Sequence, residues 1–181
     1  MNPIRWQIDD EASVRTLLPE DAEAVFAVID ANRAWIRPWM PWEPLEHEPA
    51  DVRAFIERCL ASETDLEGNG IWVGERFAGG IGFSIDPLNA CGELGYWIAA
   101  SFERRGLVTR ACRLFLDHGF RELGLHRISI HAATGNVRSR AVAERLGFEQ
   151  EAVLRQAGRT GDGTFVDLVV YSMLEHEWPS S

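Results

Sequence analysis

Lysine is missing from this sequence: all 18 of its basic residues are arginines, and no function is drawn from that choice. No apolar run approaches the roughly 20 residues that would span a bilayer. The opening Met1-Asn2-Pro3-Ile4-Arg5 lacks the basic and apolar regions of a signal peptide. Cysteine is scarce, and Cys59, Cys91 and Cys112 are odd in number without metal-ligand spacing, so they read as reduced thiols of a cytoplasmic protein. His47, His118, His126, His131 and His176 are scattered, and no zinc site is signalled. Neither a complete G-x-G-x-x-G nor a G-x-x-x-x-G-K pattern is present, which argues against NAD or ATP as the ligand. Internal repeats, low-complexity segments and a linker are also absent, so residues 1–181 read as one domain with a substantial core.

What is present is an uneven charge. The net charge of −10 argues against a general nucleic-acid binder. From Ser101 to Arg145, however, nine arginines face four acids, so that segment carries +5 and the rest −15. An acidic body with one basic segment suits a protein that holds an anionic cofactor and meets a cationic second substrate.

Read in order, Ser13-Val14-Arg15-Thr16-Leu17 alternates as a first strand. Pro19-Glu20-Asp21 has helix-start chemistry, and Ala22, Val25, Phe26 and Ile29 follow at helical spacing as far as Asn32. Prolines forbid a long helix from Trp35 to Pro44, where Trp35, Trp39 and Trp42 place far more apolar surface than a loop should show. These tryptophans either plug the core or a dimer contact, or wall an acceptor-substrate pocket, with Trp35 and Trp39 as the candidate contacts. A helix from Pro49 to Ser62 and a polar connection from Glu63 to Asn69 precede a hairpin of Gly70–Gly74 and Phe77–Ile85. Strands are expected at Glu149–Arg155 and Phe165–Leu174, with a turn at Gly158–Gly163. The order βααβββαβαββ is an α+β arrangement, one mixed and mostly antiparallel sheet flanked by helices.

The chain is organised around Glu93 to Phe148. A strand, Glu93-Leu94-Gly95-Tyr96-Trp97-Ile98, leads into the basic turn Glu103-Arg104-Arg105-Gly106-Leu107-Val108-Thr109. A helix starting near Thr109 follows, then the strand Arg127–Ala132, Asn136 with Ser139 opening another helix, and Arg145-Leu146-Gly147-Phe148. Gly106 lets successive N–H groups point one way, and the helix behind it adds its dipole: a site for phosphate. Arg104, Arg105 and Arg110 can neutralise such a group. An ordinary connection with solvated arginines is the plainer reading of the same turn.

These pieces, in this order and over nearly the whole chain, resemble the GNAT acyltransferases, specifically the RimJ/RimL-like N-acetyltransferases. The resemblance implies a central splay in the sheet, acetyl-CoA as cosubstrate, no metal, a primary amine as acceptor and direct transfer without an acyl-enzyme. The acceptor is expected to be the N-terminal α-amine of a ribosomal or other protein. The alternatives are a polyamine or antibiotic-like amine, or a CoA-sensing module without turnover. A homodimer is expected, with neither nucleic acid nor membrane as a partner. The resemblance places the CoA pyrophosphate on the N–H groups of Arg104, Arg105, Gly106, Leu107, Val108 and Thr109. It runs the pantetheine arm beside Tyr96, Trp97 and Ile98, with Asn136 and Ser139 also at the cofactor. Glu103 and Val108 depart from the usual Gln/Arg-x-x-Gly-x-Gly/Ala motif, so Glu103 should point away from phosphate. Ala143 stands where many relatives carry tyrosine, so a phenolic acid is not expected, and Ser139 is the substitute proposed in the RimL-like branch.

The chemistry needs a proton acceptor for the ammonium, a donor for the tetrahedral oxyanion and help for the leaving thiolate. Glu93, an acid among apolar neighbours, is the first candidate base; a cross-strand contact is its structural alternative. A backbone N–H near Trp97 or Ile98 is the expected oxyanion donor. Ser139 either assists the sulfur or caps its helix, and Asn136 divides between cofactor contact and cap. Nothing pairs a cysteine with a histidine base, so a thiol nucleophile is rejected.

Overall fold

A computed structural model describes residues 3–45, 47–62, 64 and 66–179. Met1, Asn2, and Glu63 and Asp65 of the expected polar connection lie outside the described residues. In chain order the elements are β1 (Arg5–Gln7), β2 (Ala12–Thr16), α1 (Ala22–Ala31), α2 (Arg33–Ile36), α3 (Pro49–Ala61), β3 (Asn69–Val73) and β4 (Arg76–Asp86). Then come β5 (Cys91–Tyr96), α4 (Leu107–Asp117), β6 (Arg127–Ala133), α5 (Val137–Leu146), β7 (Glu149–Arg159) and β8 (Phe165–Leu174).

The eight strands form one sheet in the order β1-β2-β3-β4-β5-β6-β8-β7. Every neighbouring pair is antiparallel except β5–β6, which is parallel. That parallel pairing is short: Cys91↔Arg127, Gly92↔Ile128 and Glu93↔Ser129. From Leu94 and Ile130 onward the strands part, and the expected splay is present.

Alternation along the strands decides which residues face which helices. Leu94 on β5 and Ile128, Ile130 and Ala132 on β6 are buried. Most of them, with Phe83, join Ala111, Cys112, Phe115 and Leu116 of α4 and Ala143 and Leu146 of α5 in the larger core cluster. Burying each large apolar side chain there stabilises by about 1.5–3 kcal/mol. A second cluster on the opposite face joins Val25 and Ile29 of α1, Val52 and Ile56 of α3, and Trp72 and Phe77. Trp97 and Trp42 pack against it. Thus β5 sends Leu94 and Tyr96 toward α4 and α5, and sends Glu93 and Trp97 the other way.

Four expectations need adjusting. Strand β1 was not expected, because three residues are too few to show an alternation. Helix α4 begins at Leu107, two residues earlier than expected, and ends in one wider turn of the π type at His118–Glu122. The tryptophan segment contains the single helical turn α2, which stops before Pro38, as proline requires. Strand β7 runs on to Arg159, across a break in register between Leu154 and Gly158.

Candidate active site

The basic turn forms as its glycine demands. Gly106 sits in the left-handed region at φ +69°, directly before α4, and Arg104 also has positive φ, +58°. The N–H groups of Arg104, Arg105 and Gly106 find no acceptor among the described residues. The first N–H groups of α4 are unpaired by helix geometry. The turn is therefore a concave row of donors at a helix start. Side chains play a smaller part than expected. Arg110 is tied to Asp9 and to the Arg105 carbonyl, 3.1 Å away, and Arg105 pairs with Glu11 at 3.5 Å. Leu107 and Thr109 point into the protein, with Thr109 accepting from Arg145 at 3.1 Å. Arg104 is the exposed arginine of the turn for which no ion pair is found among the described residues.

Across the splay, Trp97 donates its N–H to Gly80 O at 2.9 Å and Ala99 donates to Ala78 O at 2.8 Å. Alternation turns the intervening Ile98 N–H the other way, into the gap. Trp97 is thereby excluded as the oxyanion donor and Ile98 remains. The Trp97 indole lies over Gly80, where a Cβ would come within 2.6 Å of its Nε1.

A cavity of about 260 Å³ joins the pieces, lined among others by Tyr96, Ile98, Val108, Asn136 and Ser139. Asn136 is the N-cap of α5, its Oδ1 accepting from Ser139 N at 3.1 Å. The Ser139 hydroxyl, freed from capping, lies 3.1 Å from the Tyr96 phenol, which also reaches the Ser139 carbonyl at 3.1 Å. Burial pushes the Tyr96 phenol well above its ordinary range and keeps it protonated. A phenol thus stands beside Ser139 although Ala143 offers none, on the Tyr96 side chain already expected along the cofactor arm. Ala143 is fully buried in the core, and the phenol arrives from β5 instead of α5.

Trp35 and Trp39 line the same cavity. Glu103, expected to point away from phosphate, is part of the lining and meets Arg138 at 3.5 Å, while Arg138 stacks 4.6 Å from the Trp35 ring centroid. A full carboxylate, Glu43, shapes this wall. Its side chain has no exposure, and it binds Arg33 and Arg37 at 2.8 Å each. Arg37 and its neighbours also hold the β7–β8 turn through Gly161 N–H donating to Arg37 O at 2.8 Å. Trp42, the third tryptophan of the segment, packs on Trp97 with ring centroids 5.8 Å apart, so the segment serves core and wall together.

Glu93 is outside the lining of that cavity. It lies on the opposite face of β5, half exposed, with Oε2 3.3 Å from His131 Nδ1. The cysteines agree with the rejection of a thiol nucleophile. Cys112 is fully buried and its thiol is pushed up by burial, and Cys91 bonds weakly to Asn89 O. The partnerships of Tyr96 with Ser139 and of Glu93 with His131 were not read from the sequence. Each joins residues from two elements, 43 and 38 positions apart. The available signal was alternation: His131 stands on the polar side of a strand whose other face is Ile128, Ile130 and Ala132.

The family description "Acetyltransferase (GNAT) domain" matches residues 13–149. A Bacillus subtilis (strain 168) protein named "Putative ribosomal N-acetyltransferase YdaF" is 34% identical over 95% of this chain and 96% of its own. RimJ of Mycobacterium smegmatis, solved with a CoA disulfide, superposes with a TM-score of 0.85 at 26% identity, over 99% of this chain and 89% of that one. The microcin C7 self-immunity acetyltransferase MccE, solved with acetyl-CoA and AMP, gives 0.83 at 27% identity, over 92% and 94%. The splayed sheet, the glycine turn before α4 and the matched span agree: the chain belongs to the acetyltransferase (GNAT) family, on its RimJ/RimL-like side, and is an N-acetyltransferase.

Proposed function

We propose that this chain transfers acetyl from acetyl-CoA directly to the N-terminal α-amine of a protein, a ribosomal protein being the favoured class. The observation that carries the cofactor half is the row of unpartnered N–H groups at Arg104–Gly106, set between Glu103 and Val108, which line a cavity that reaches Ser139. Donors of this kind fit a pyrophosphate, and the gap beside Ile98 fits an extended amide-bearing arm. Within that arrangement Ile98 N–H is the donor for the carbonyl oxygen as it gains charge. Ser139, backed by the protonated Tyr96, is the hydroxyl that meets the leaving sulfur. Tyr96, Trp97, Val108 and Asn136 shape the channel, and Trp35 and Trp39 wall the acceptor side.

An α-amine suits the modest acid–base equipment of this site. Its pKa, about 7.7–8.0, lies far below the roughly 10.4 of a lysine side chain, so less driving force is needed to free its lone pair. The name of the Bacillus subtilis relative favours a ribosomal acceptor. The same reading takes residues 1–181 as one domain of a cytoplasmic homodimer. The exposed Val153, Leu154 and Phe165 of the edge hairpin are surface for the second copy to cover.

The test is free-thiol release from acetyl-CoA with peptides bearing free or blocked α-amines, polyamines and aminoacyl nucleotides. We expect turnover with free α-amine peptides and none with blocked ones. Turnover confined to small amines overturns the protein-acceptor reading. Calorimetric binding of acetyl-CoA without turnover on any amine marks a sensing module.

A further inference from the structure

We infer that His131 is the general base of the transfer, and that Glu93 positions its ring. This rests on the proposed acetylation of a primary amine. His131 lies on β6 two residues beyond Ser129, the last residue paired with β5, so it stands where the splay opens. Its Nδ1 faces Glu93 Oε2 at 3.3 Å, which directs Nε2 outward. Across the gap, on the same face of β5, is Gly95, and a Cβ built there would meet nothing within 4 Å. An amine therefore has room between His131 and the strand, on the face opposite Tyr96 and Ser139. The two substrates meet through the splay from opposite sides of the sheet.

The surroundings single out this pair. Glu93 is the carboxylate within ion-pair reach of His131 among the described residues. Of the other charges on this face, Arg127 of β6 and Glu151 of β7 are spent on each other at 2.8 and 2.5 Å, Glu149 and Asp86 stand opposite Ser172 and Cys91, and the Leu66–Glu67 segment lies over Gly82, next to Gly95. Strand β8 presents Val170 and Ser172 opposite His131 and Ser129. Reactivity points the same way. An α-ammonium of pKa about 7.7–8.0 yields its proton to an imidazole (about 6.5) roughly 100-fold more readily than to a carboxylate (about 4.3). The half-exposed Glu93 is thus the weaker base but a good anchor for an imidazolium.

In the step itself, Nε2 takes one proton from the ammonium and the freed lone pair attacks the thioester carbonyl. The C–N bond forms and the C–S bond breaks, with the electron pair leaving on sulfur. The second proton of the nitrogen reaches the thiolate by way of the Ser139 hydroxyl. His131 returns its proton to water, and Glu93 remains ionised throughout.

The pH dependence of kcat/KM on an α-amine peptide, for wild type, His131→Gln and Glu93→Gln, tests this. For His131→Gln we expect a loss of about 100-fold and an acid limb moved up to the ionisation of the free amine. For Glu93→Gln we expect a smaller loss with the acid limb kept, since the ring loses its anchor but remains the base. Added imidazole should restore part of the rate to His131→Ala. Acetyl-CoA affinity and melting temperature should hold in each variant. An NMR spectrum of the ring signal lost in His131→Gln should show it displaced and broadened in Glu93→Gln, without need of turnover, as the ring loses its anchor. A limb moved upward by Glu93→Gln makes Glu93 the base and overturns the inference, as does an unchanged profile in His131→Gln. Wild-type protein that binds acetyl-CoA yet acetylates no amine overturns the functional reading on which it rests.

Discussion

Glu43 and Glu93 are two acids set among aromatic and apolar neighbours in the sequence, and the fold uses them in opposite ways. Glu43 has no exposure and is held by two guanidinium groups, Arg33 and Arg37. Glu93 is half exposed and faces one imidazole. An acid between two permanent cations cannot accept a proton near neutral pH, whatever stands close to it. It ties the tryptophan segment to α2. An acid beside a titratable ring, at the mouth of a gap, can take part in proton traffic. Partner type and burial separate the two roles, and neither shows in the neighbouring sequence.

Placing a third acid where the fold has none gives the largest effect on function. Gly106→Glu puts a carboxylate on a backbone with φ +69° among N–H groups that lack acceptors. We expect CoA affinity measured by calorimetry to fall on the order of 100-fold, about 2.7 kcal/mol, with the protein still folded. Next is the buried acid itself. Glu43→Gln should cost about 3 kcal/mol in urea unfolding, at the low end for a broken buried pair because both arginines keep contact with water.

The sign of the pH effect follows from the same pair. Hydrogen bonds from Arg37 and then Arg33 hold the Glu43 carboxyl below its ordinary value of 4.5. Its contribution is complete above 4.5 and is lost as pH falls through the depressed folded-state value. Melting temperatures of wild type and Glu43→Gln should therefore converge on acidification from pH 5 downward. A constant gap would mean that the carboxylate charge is not what stabilises the segment.

The neutral pair sits between the extremes. Ser139→Ala and Tyr96→Phe should each lower kcat by about 10-fold, below the usual range for acid–base help, with acetyl-CoA affinity little changed. Because the hydroxyls are in contact, the double variant should lose less than the product of the two. The smallest effect is expected for Glu93→Gln on stability, within about 0.5 kcal/mol, as for an exposed ion pair. A stability loss matching that of Glu43→Gln would erase the distinction between the two acids.

Strands with clear alternation were legible in the sequence: β8 runs over the expected Phe165–Leu174, and the splay between the strands of Glu93 and Arg127 is present. The glycine turn was legible because only a few residues accept positive φ before a helix. Side-chain partnerships were not. The sequence left Ser139 divided between cap and proton donor, and the choice depended on Asn136 taking the cap. It offered Arg110 as a phosphate ligand, whereas Asp9, 101 positions earlier, claims it. Such pairings depend on which surfaces the fold brings together, and local pattern carries no record of them.

That claim on Arg110 has a further consequence. With Asp9 and Glu11 engaging Arg110 and Arg105, the cradle keeps little uncompensated positive charge. The grip proposed for it on an anion would come chiefly from fixed N–H dipoles acting at contact range, which mobile ions screen poorly, with the exposed Arg104 adding a smaller, screened part. Cofactor affinity should then vary little with ionic strength, so the enzyme would hold its acetyl donor nearly as well in concentrated salt as in dilute buffer.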